Sequence, residues 1–343
     1  MPYTSAKYTG QQGKNASQRI EECDVKPLRD ISYFFGYFQQ DLYPCENKEN
    51  VGGAELTRLF GLIKFRDGDK WVCTDEGVGP TSRDCLVYSF GINYEWSFDD
   101  AMAERGCKVF AFDPTMESRD HQRSENVMFL RLGISNITGE QVIGKVIRKV
   151  ARLPDIMARL GHAGHQIDYL KIDIEGMEVE VLQDLLLEDP AILASVRQIG
   201  MEIHPGIYGD EDVTQPNNLF AKFWRIFQLL DCLGFRLIHW NRNTYKRNHY
   251  IWKGRKEATC YEVVYVRIVD ASGMSLEGEG MFFVAMKWHL ERTTSSIRSF
   301  VYWQEVDNLE SVKYLQEYEL LALEQEKDNH DEDGLIEVQG TRK

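Results

Sequence analysis

The chain has 343 residues, 43% of them hydrophobic and 27% charged, with a formal net charge of −14; this is an ordinary composition for a folded protein, long enough to bury a sizeable core. That acidity argues against a partner bound through neutralised phosphates, so no nucleic-acid partner is expected. No run of about 18 apolar residues is present to span a membrane, and the polar first twenty residues offer no secretory leader, which makes the cytoplasm the default compartment.

Residues 1–29 are polar and read as a frayed N-terminus. Residues 30–85 read as a helical and looped addition: "DISYFFGYFQQDL" from Asp30 carries Tyr33, Phe34, Tyr37 and Phe38 at helical spacing, a stripe that suits packing on a larger domain. Within this stretch Cys73 and Cys85 flank the turn "CTDEGVGPTSRDC", and the two are equally readable as a bridge in an oxidising compartment or as reduced thiols. Seven cysteines without a CxxC pair exclude a zinc ribbon or a thioredoxin-like site. Asn15 (NAS) and Asn136 (NIT) fit glycosylation sequons, which matter only in the secretory pathway.

From Leu86 to Ile268 short β-rich runs alternate with helical ones. "CLVYSFG" is the first strand, with Ser97 and Asp100 predicting a capping box for a helix that ends near Gly106. "CKVFAFD" and "NVMFLRLG" are the second and third. "GEQVIGKVIRKVARL" and "PDIMARLG" read as helices, "QIDYLKIDIEG" as the fourth strand and "MEVEVLQDLLL" as its helix. "VRQIGMEIH" is the fifth strand, and "NLFAKFWRIFQLLDCLG" is an amphipathic helix closed by Gly234. "FRLIHW" and "CYEVVYVRI" end the series without a long helix between them. The pattern predicts an α/β doubly wound sheet with an antiparallel final strand. Residues 269–343 hold 16 acids and 7 bases and read as an extension ending in a solvated acidic tail, which could also serve a protein partner. Within it, "MFFVAMKWHL" could add a strand or an amphipathic element.

In such sheets ligands bind beyond the carboxyl ends of the strands. Gly91 ends the first strand and lets backbone approach a ligand, although the GxGxxG fingerprint is absent. Asp113 ends the second strand, 22 residues beyond Gly91 and just before Pro114, where an acid can hold ribose hydroxyls or simply cap a turn. In the fourth strand the two-residue period places Tyr169, Lys171, Asp173 and Glu175 on one side, with Lys171 able to offset Asp173. Glu202 and His204 share a side at the end of the fifth strand. Asp173, Glu175, Glu202 and His204 could converge on one cleft and supply acid/base capacity or a divalent-metal site, although no residue is assigned to a metal.

"YLKIDIEGMEVEVLQDL" resembles the signature of FkbM-type S-adenosylmethionine-dependent methyltransferases, and "WVCTDEG…DCLVYSFGINYEWSFDDAMAERGCKVFAFDPTM" is similar to a group of animal methyltransferase-like proteins. The resemblance covers roughly residues 30–268. It implies a class I methyltransferase (Rossmann-like) fold of seven strands with the last antiparallel, and S-adenosyl-L-methionine as cofactor. Phe90, Gly91 and Asn93 would line the cofactor loop, Asp113 with Pro114 would lie at the ribose, and Gly133 near the adenine. Asp173 would face the transferred methyl, with Asp173 or His204 as base and Glu175 as orienter. The implied acceptor is a hydroxyl on a small molecule or glycan, and the secretory pathway becomes an open compartment. Ser89 and a single glycine depart from the acidic, glycine-rich first loop of many relatives. Two rivals follow: a methyltransferase-like scaffold without activity, and an NAD-dependent oxidoreductase lacking its glycine fingerprint. Binding of S-adenosylmethionine, of NAD or of neither separates the three.

Overall fold

Seven strands build the main sheet: β1 (Leu86–Phe90), β2 (Lys108–Phe112), β3 (Val127–Leu130), β4 (Ile167–Ile172), β5 (Val196–Ile203), β6 (Phe235–Arg242) and β7 (Tyr261–Arg267). The computed structural model describes residues 14–40, 42–58, 63–80, 85–205, 218–242, 249–268, 284–293 and 296–305. The strands run in the order β3-β2-β1-β4-β5-β7-β6. β1 to β5 are parallel where they meet, while β7 is antiparallel to both β5 and β6. The predicted seven strands with an antiparallel last one are therefore present, and a short antiparallel strand, His121–Ser124, adds an eighth at the β3 edge.

The two-residue period sorts the strands between two cores. Tyr88, Phe90, Leu170 and Ile172 point to one face, where they meet helices α2 (Ile31–Tyr37), α4 (Leu153–Arg159), α5 (Glu178–Leu187) and α6 (Asn218–Cys232). Val87, Val109, Ala111 and Tyr169 point to the other, against Phe98 and Met102 of α3 (Ser97–Glu104) and Val51 and Val72 of a small ladder, Lys48–Val51 with Lys70–Cys73. The aromatic stripe of α2 packs as its spacing predicts: Phe34 stacks on Phe227 of α6 and meets Phe220 edge-on at 4.9 Å. Each such fully buried ring contributes about 1.5–3 kcal/mol.

Four expectations need correction. The stretch 139–153, read as helix, forms a β-hairpin over Gly139–Ile143 and Val146–Ala151, joined by Gly144 and Lys145. The N-terminus is anchored over its described part: helix Ala16–Glu21 is capped by Asn15, Trp224 Nε1 donates to the Lys26 carbonyl at 2.8 Å, and Cys23 is bridged to Cys232; residues 1–13 lie outside the described residues. The addition over 30–85 contains strands as well as α2. Ser97 caps no helix, because its hydroxyl accepts from the Gly53 amide at 2.5 Å.

Neither reading of Cys73 and Cys85, a bridge to each other or two reduced thiols, holds. The bonds are Cys23–Cys232, Cys45–Cys73 and Cys85–Cys107, and Cys260 alone is free and buried. Register explains the third. Leu86 and Lys108 are partners in the β1/β2 ladder, so the residues just before them, Cys85 and Cys107, stand side by side with Cα atoms 4.4 Å apart. In a second unit Val284–Thr293 pairs antiparallel with Ser296–Glu305, so the described part of "MFFVAMKWHL", from Val284 on, lies in a strand. The acidic tail lies outside the described residues.

Candidate functional site

A cavity of about 320 Å³ opens at the carboxyl ends of β1, β2 and β4, walled by Phe90, Gly91, Asn93, Asp113, Pro114, Gly133, Asp173 and Glu175, so all eight sequence candidates other than His204 meet in it. Gly91 is required by geometry. Its φ is +83°, and a Cβ there would lie 1.7 Å from the Asp173 carbonyl oxygen, a conformation and a proximity that glycine alone tolerates. The Lys171 ammonium donates to the Gly91 carbonyl at 2.7 Å, so the lysine predicted to offset Asp173 instead fixes the first loop. Asp113 organises the same loop. One oxygen accepts the Ile92 and Asn93 amides at 3.1 and 2.8 Å, and the other accepts the amide and hydroxyl of Thr115 at 2.7 and 2.6 Å. A carboxylate has about four acceptor positions, so a ribose hydroxyl would reach Asp113 only by displacing one of these donors. Gly133 lies against Pro114, 2.9 Å from where its own Cβ would be.

Four non-glycine residues among those described have positive φ, and three of them, Asn93, Tyr94 and Glu175, belong to the two loops at this cavity. Left-handed backbone costs such residues of order 1 kcal/mol or more, and it persists where surrounding structure imposes it, typically at functional sites.

Asp173 stands in a charged group that the sequence hid. Lys70, from the N-terminal ladder, is nearly inaccessible; its ammonium lies 3.0 Å from Glu262 of β7 and 3.7 Å from Asp173. Burial alone would lower the Lys70 pKa, but Glu262, Asp173 and Glu202 outweigh it and hold the ammonium above its ordinary value. Glu202, which also lines the cavity, is raised to about 7 by burial and by repulsion from Asp173 and Glu262. Asp173, Glu202 and Glu262 bring ligand atoms within 4.8 Å of one another, and the cation placed among them is Lys70.

His204 is a correction. It is absent from the cavity wall, 6% exposed, and its Nδ1 lies 3.1 Å from the Glu178 carboxylate while Nε2 lies 3.7 Å from Glu175. Burial by itself would lower its pKa; bonds to Cys260 and Glu178 reverse that and push it up to about 12. An imidazolium held in this way has no lone pair for a substrate proton. Sequence reasoning missed Glu178, a fully buried carboxylate at the start of α5 that also accepts the Gly176 amide at 3.0 Å. It also missed Asp99 of α3, 1% exposed, whose pKa burial raises to about 6 against the pull of Lys171 and Ser89. Asp99 thus supplies, from the next helix, a carboxylate beside Ser89, where the first strand has none.

A mixed sheet of this order, parallel from β3 to β5 with an antiparallel β7, and a ligand-sized cleft at its switch point define a class I, Rossmann-like methyltransferase fold. A family model described as "Methyltransferase domain" matches residues 17–253, and the chain belongs to that family. Among curated proteins it is similar to "Probable methyltransferase-like protein 24" of Rattus norvegicus and of Homo sapiens, each 30% identical over 207 residues. The match takes in 57% of this chain and 55% and 54% of those relatives, so the chain spans about half of their length. Among solved structures, a mutant 16S rRNA (adenine(1408)-N(1))-methyltransferase from Catenulisporales acidiphilia aligns with 64% of this chain and 98% of its own, at 11% identity and a TM-score of 0.29, too low to carry an argument.

Proposed function

We propose that the chain is an S-adenosylmethionine-dependent methyltransferase, of the FkbM-like kind, that methylates a hydroxyl on a small molecule or glycan. The observation that carries this reading is that Gly91, Asp113 and Asp173, from the ends of β1, β2 and β4, wall one cavity together with Gly133 of a further short strand. Its composition suits such a donor: Phe90, Ile92, Ile134 and Ile143 offer apolar surface for an adenine, and Glu95, Asp173 and Glu202 offer negative charge for a cationic ligand. When bound, the donor supplies an electrophilic methyl group on a sulfonium.

The chain's own residues then orient and deprotonate the acceptor. Asp173, with 22% of its side chain exposed, is the carboxylate within reach of a hydroxyl, and Lys70 steadies it from behind. Glu202 stands next to it with a pKa of about 7, the range in which a group can both receive and release a proton near neutrality. Glu175, 82% exposed and 3.7 Å from His204, stands at the rim where it can orient an acceptor. Calorimetric titration with S-adenosylmethionine and with NAD, followed by transfer of a labelled methyl to a panel of glycans and small hydroxyl compounds, tests the reading. Saturable binding of the first with labelled product is expected; binding of NAD alone would favour the oxidoreductase, and binding of neither by a folded chain would favour the scaffold.

A further inference from the structure

We propose that Asn136 carries an N-linked glycan, placed beside the mouth of the cavity at the base of an exposed hairpin. Three separate observations meet there. First, six of the seven cysteines are joined in three bridges, and such bonds form and persist in oxidising compartments, the same compartments in which sequons are read. Two of the bridges tie structure that matters to the site. Cys45–Cys73 closes the ladder that delivers Lys70, and Cys85–Cys107 joins the starts of β1 and β2.

Second, the Asn136-Ile137-Thr138 triplet lies on an exposed loop between the short strand Gly133–Ile134 and the hairpin, with the Asn136 side chain at the surface. The other sequon begins at Asn15, whose carboxamide caps a helix in a reciprocal box with Gln18. Third, of the eight large apolar side chains exposed among the described residues, four fall within this short region: Ile137 at 45%, Val142 at 64%, Val146 at 47% and Ile147 at 64%. Val142 and Ile147 are cross-strand partners on one face of the hairpin. The Ser135 hydroxyl lies 2.8 Å from Gln141 and 3.3 Å from Asn136, which puts the asparagine beside the other face, where Gln141 pairs with Arg148 and Ile143 with Val146. Val146 on that face is 47% exposed, and a sugar chain rooted at Asn136 would stand beside it. Because Ile134 and Ile143 line the cavity, the same sugar would border the entry path.

The modification joins the Asn136 Nδ2 to the anomeric carbon of a lipid-linked diphosphate oligosaccharide. The bond from that carbon to the diphosphate oxygen breaks, the lipid diphosphate leaves with the electron pair, and one amide proton is released. The full chain, directed into the secretory pathway of animal cells by a cleavable leader, tests this without any knowledge of the methyl acceptor. Disulfide mapping should return the three bridges, and peptide N-glycosidase should remove the mass of a glycan from the wild type, from Thr138→Ser and from Asn15→Gln. Asn136→Gln should lose that shift. A chain with three mapped bridges and no glycosidase-sensitive mass overturns the proposal, as does a shift that survives Asn136→Gln. Recovery from the secretory lumen with the six cysteines reduced overturns it as well.

Discussion

β4 and β5 lie side by side, and each ends in a side chain able to titrate, yet the two ends are used in opposite ways. β4 delivers Asp173 to the cavity, where Lys70 sits behind it and one side stays open. β5 delivers His204 two residues beyond Glu202, but its ring turns from the cavity to Glu178 and is held there as a cation. Position at a strand end therefore nominates a residue, and the partner that neutralises it decides. A carboxylate steadied by a distant ammonium keeps its reactivity, whereas an imidazole locked onto a buried carboxylate becomes structure.

That contrast can be broken most directly at Asp173. Asp173→Asn should lower methyl transfer by roughly a hundredfold or more, the usual contribution of a positioned proton acceptor, while calorimetry shows donor affinity within a few-fold; an unchanged rate would remove Asp173 from the chemistry. His204→Gln should instead appear in stability, with a loss on the order of 3–5 kcal/mol because Glu178 is left buried without its cation. The His204 pKa is raised in the fold, so its contribution is fully present below its ordinary value of 6.5 and fades as pH climbs toward 12. Urea unfolding at pH 6 and pH 10 should therefore show a smaller gap between wild type and variant at the higher pH.

Gly91→Ala sharpens the comparison from the loop side. With φ at +83° and the Asp173 carbonyl in the way, it should cost on the order of 2 kcal/mol and weaken donor binding in calorimetry. The smallest effect is expected at Glu202. Its pKa is raised from 4.5 to about 7, so the wild type loses stability as pH rises through that window. Glu202→Gln should be the more stable protein at pH 8, by about 1–3 kcal/mol, with the advantage gone below pH 4.5; thermal melts across that range would show it.

Most of the sheet was legible because β-branched and aromatic runs with a two-residue period are hard to satisfy as anything but strands. Its order was foreshadowed by the helix missing between β6 and β7. The hairpin over 139–151 misled for a definite reason. Val142, Ile143, Val146, Ile147 and Val150 recur at three and four residues, which is the helical period, but all are β-branched and Gly144-Lys145 is a two-residue turn. The cavity residues of β1, β2 and β4 could be found because strand ends announce themselves. Lys70 and Glu262 could not: one comes from a ladder far away in the chain and the other alternates within an apolar strand, and only the packing brings them to Asp173. The bridge between Cys85 and Cys107 needed the β1/β2 register, which no spacing rule supplies.

The central claim is that residues at the ends of β1, β2 and β4, with Gly133 beside them, form one donor site, and isothermal titration of the folded, disulfide-intact chain with S-adenosylmethionine tests it most directly. One saturable site per chain, weakened in Gly91→Ala and kept in His204→Gln, is the predicted result. No heat of binding from a chain whose three bridges are mapped and whose melt is cooperative would contradict it.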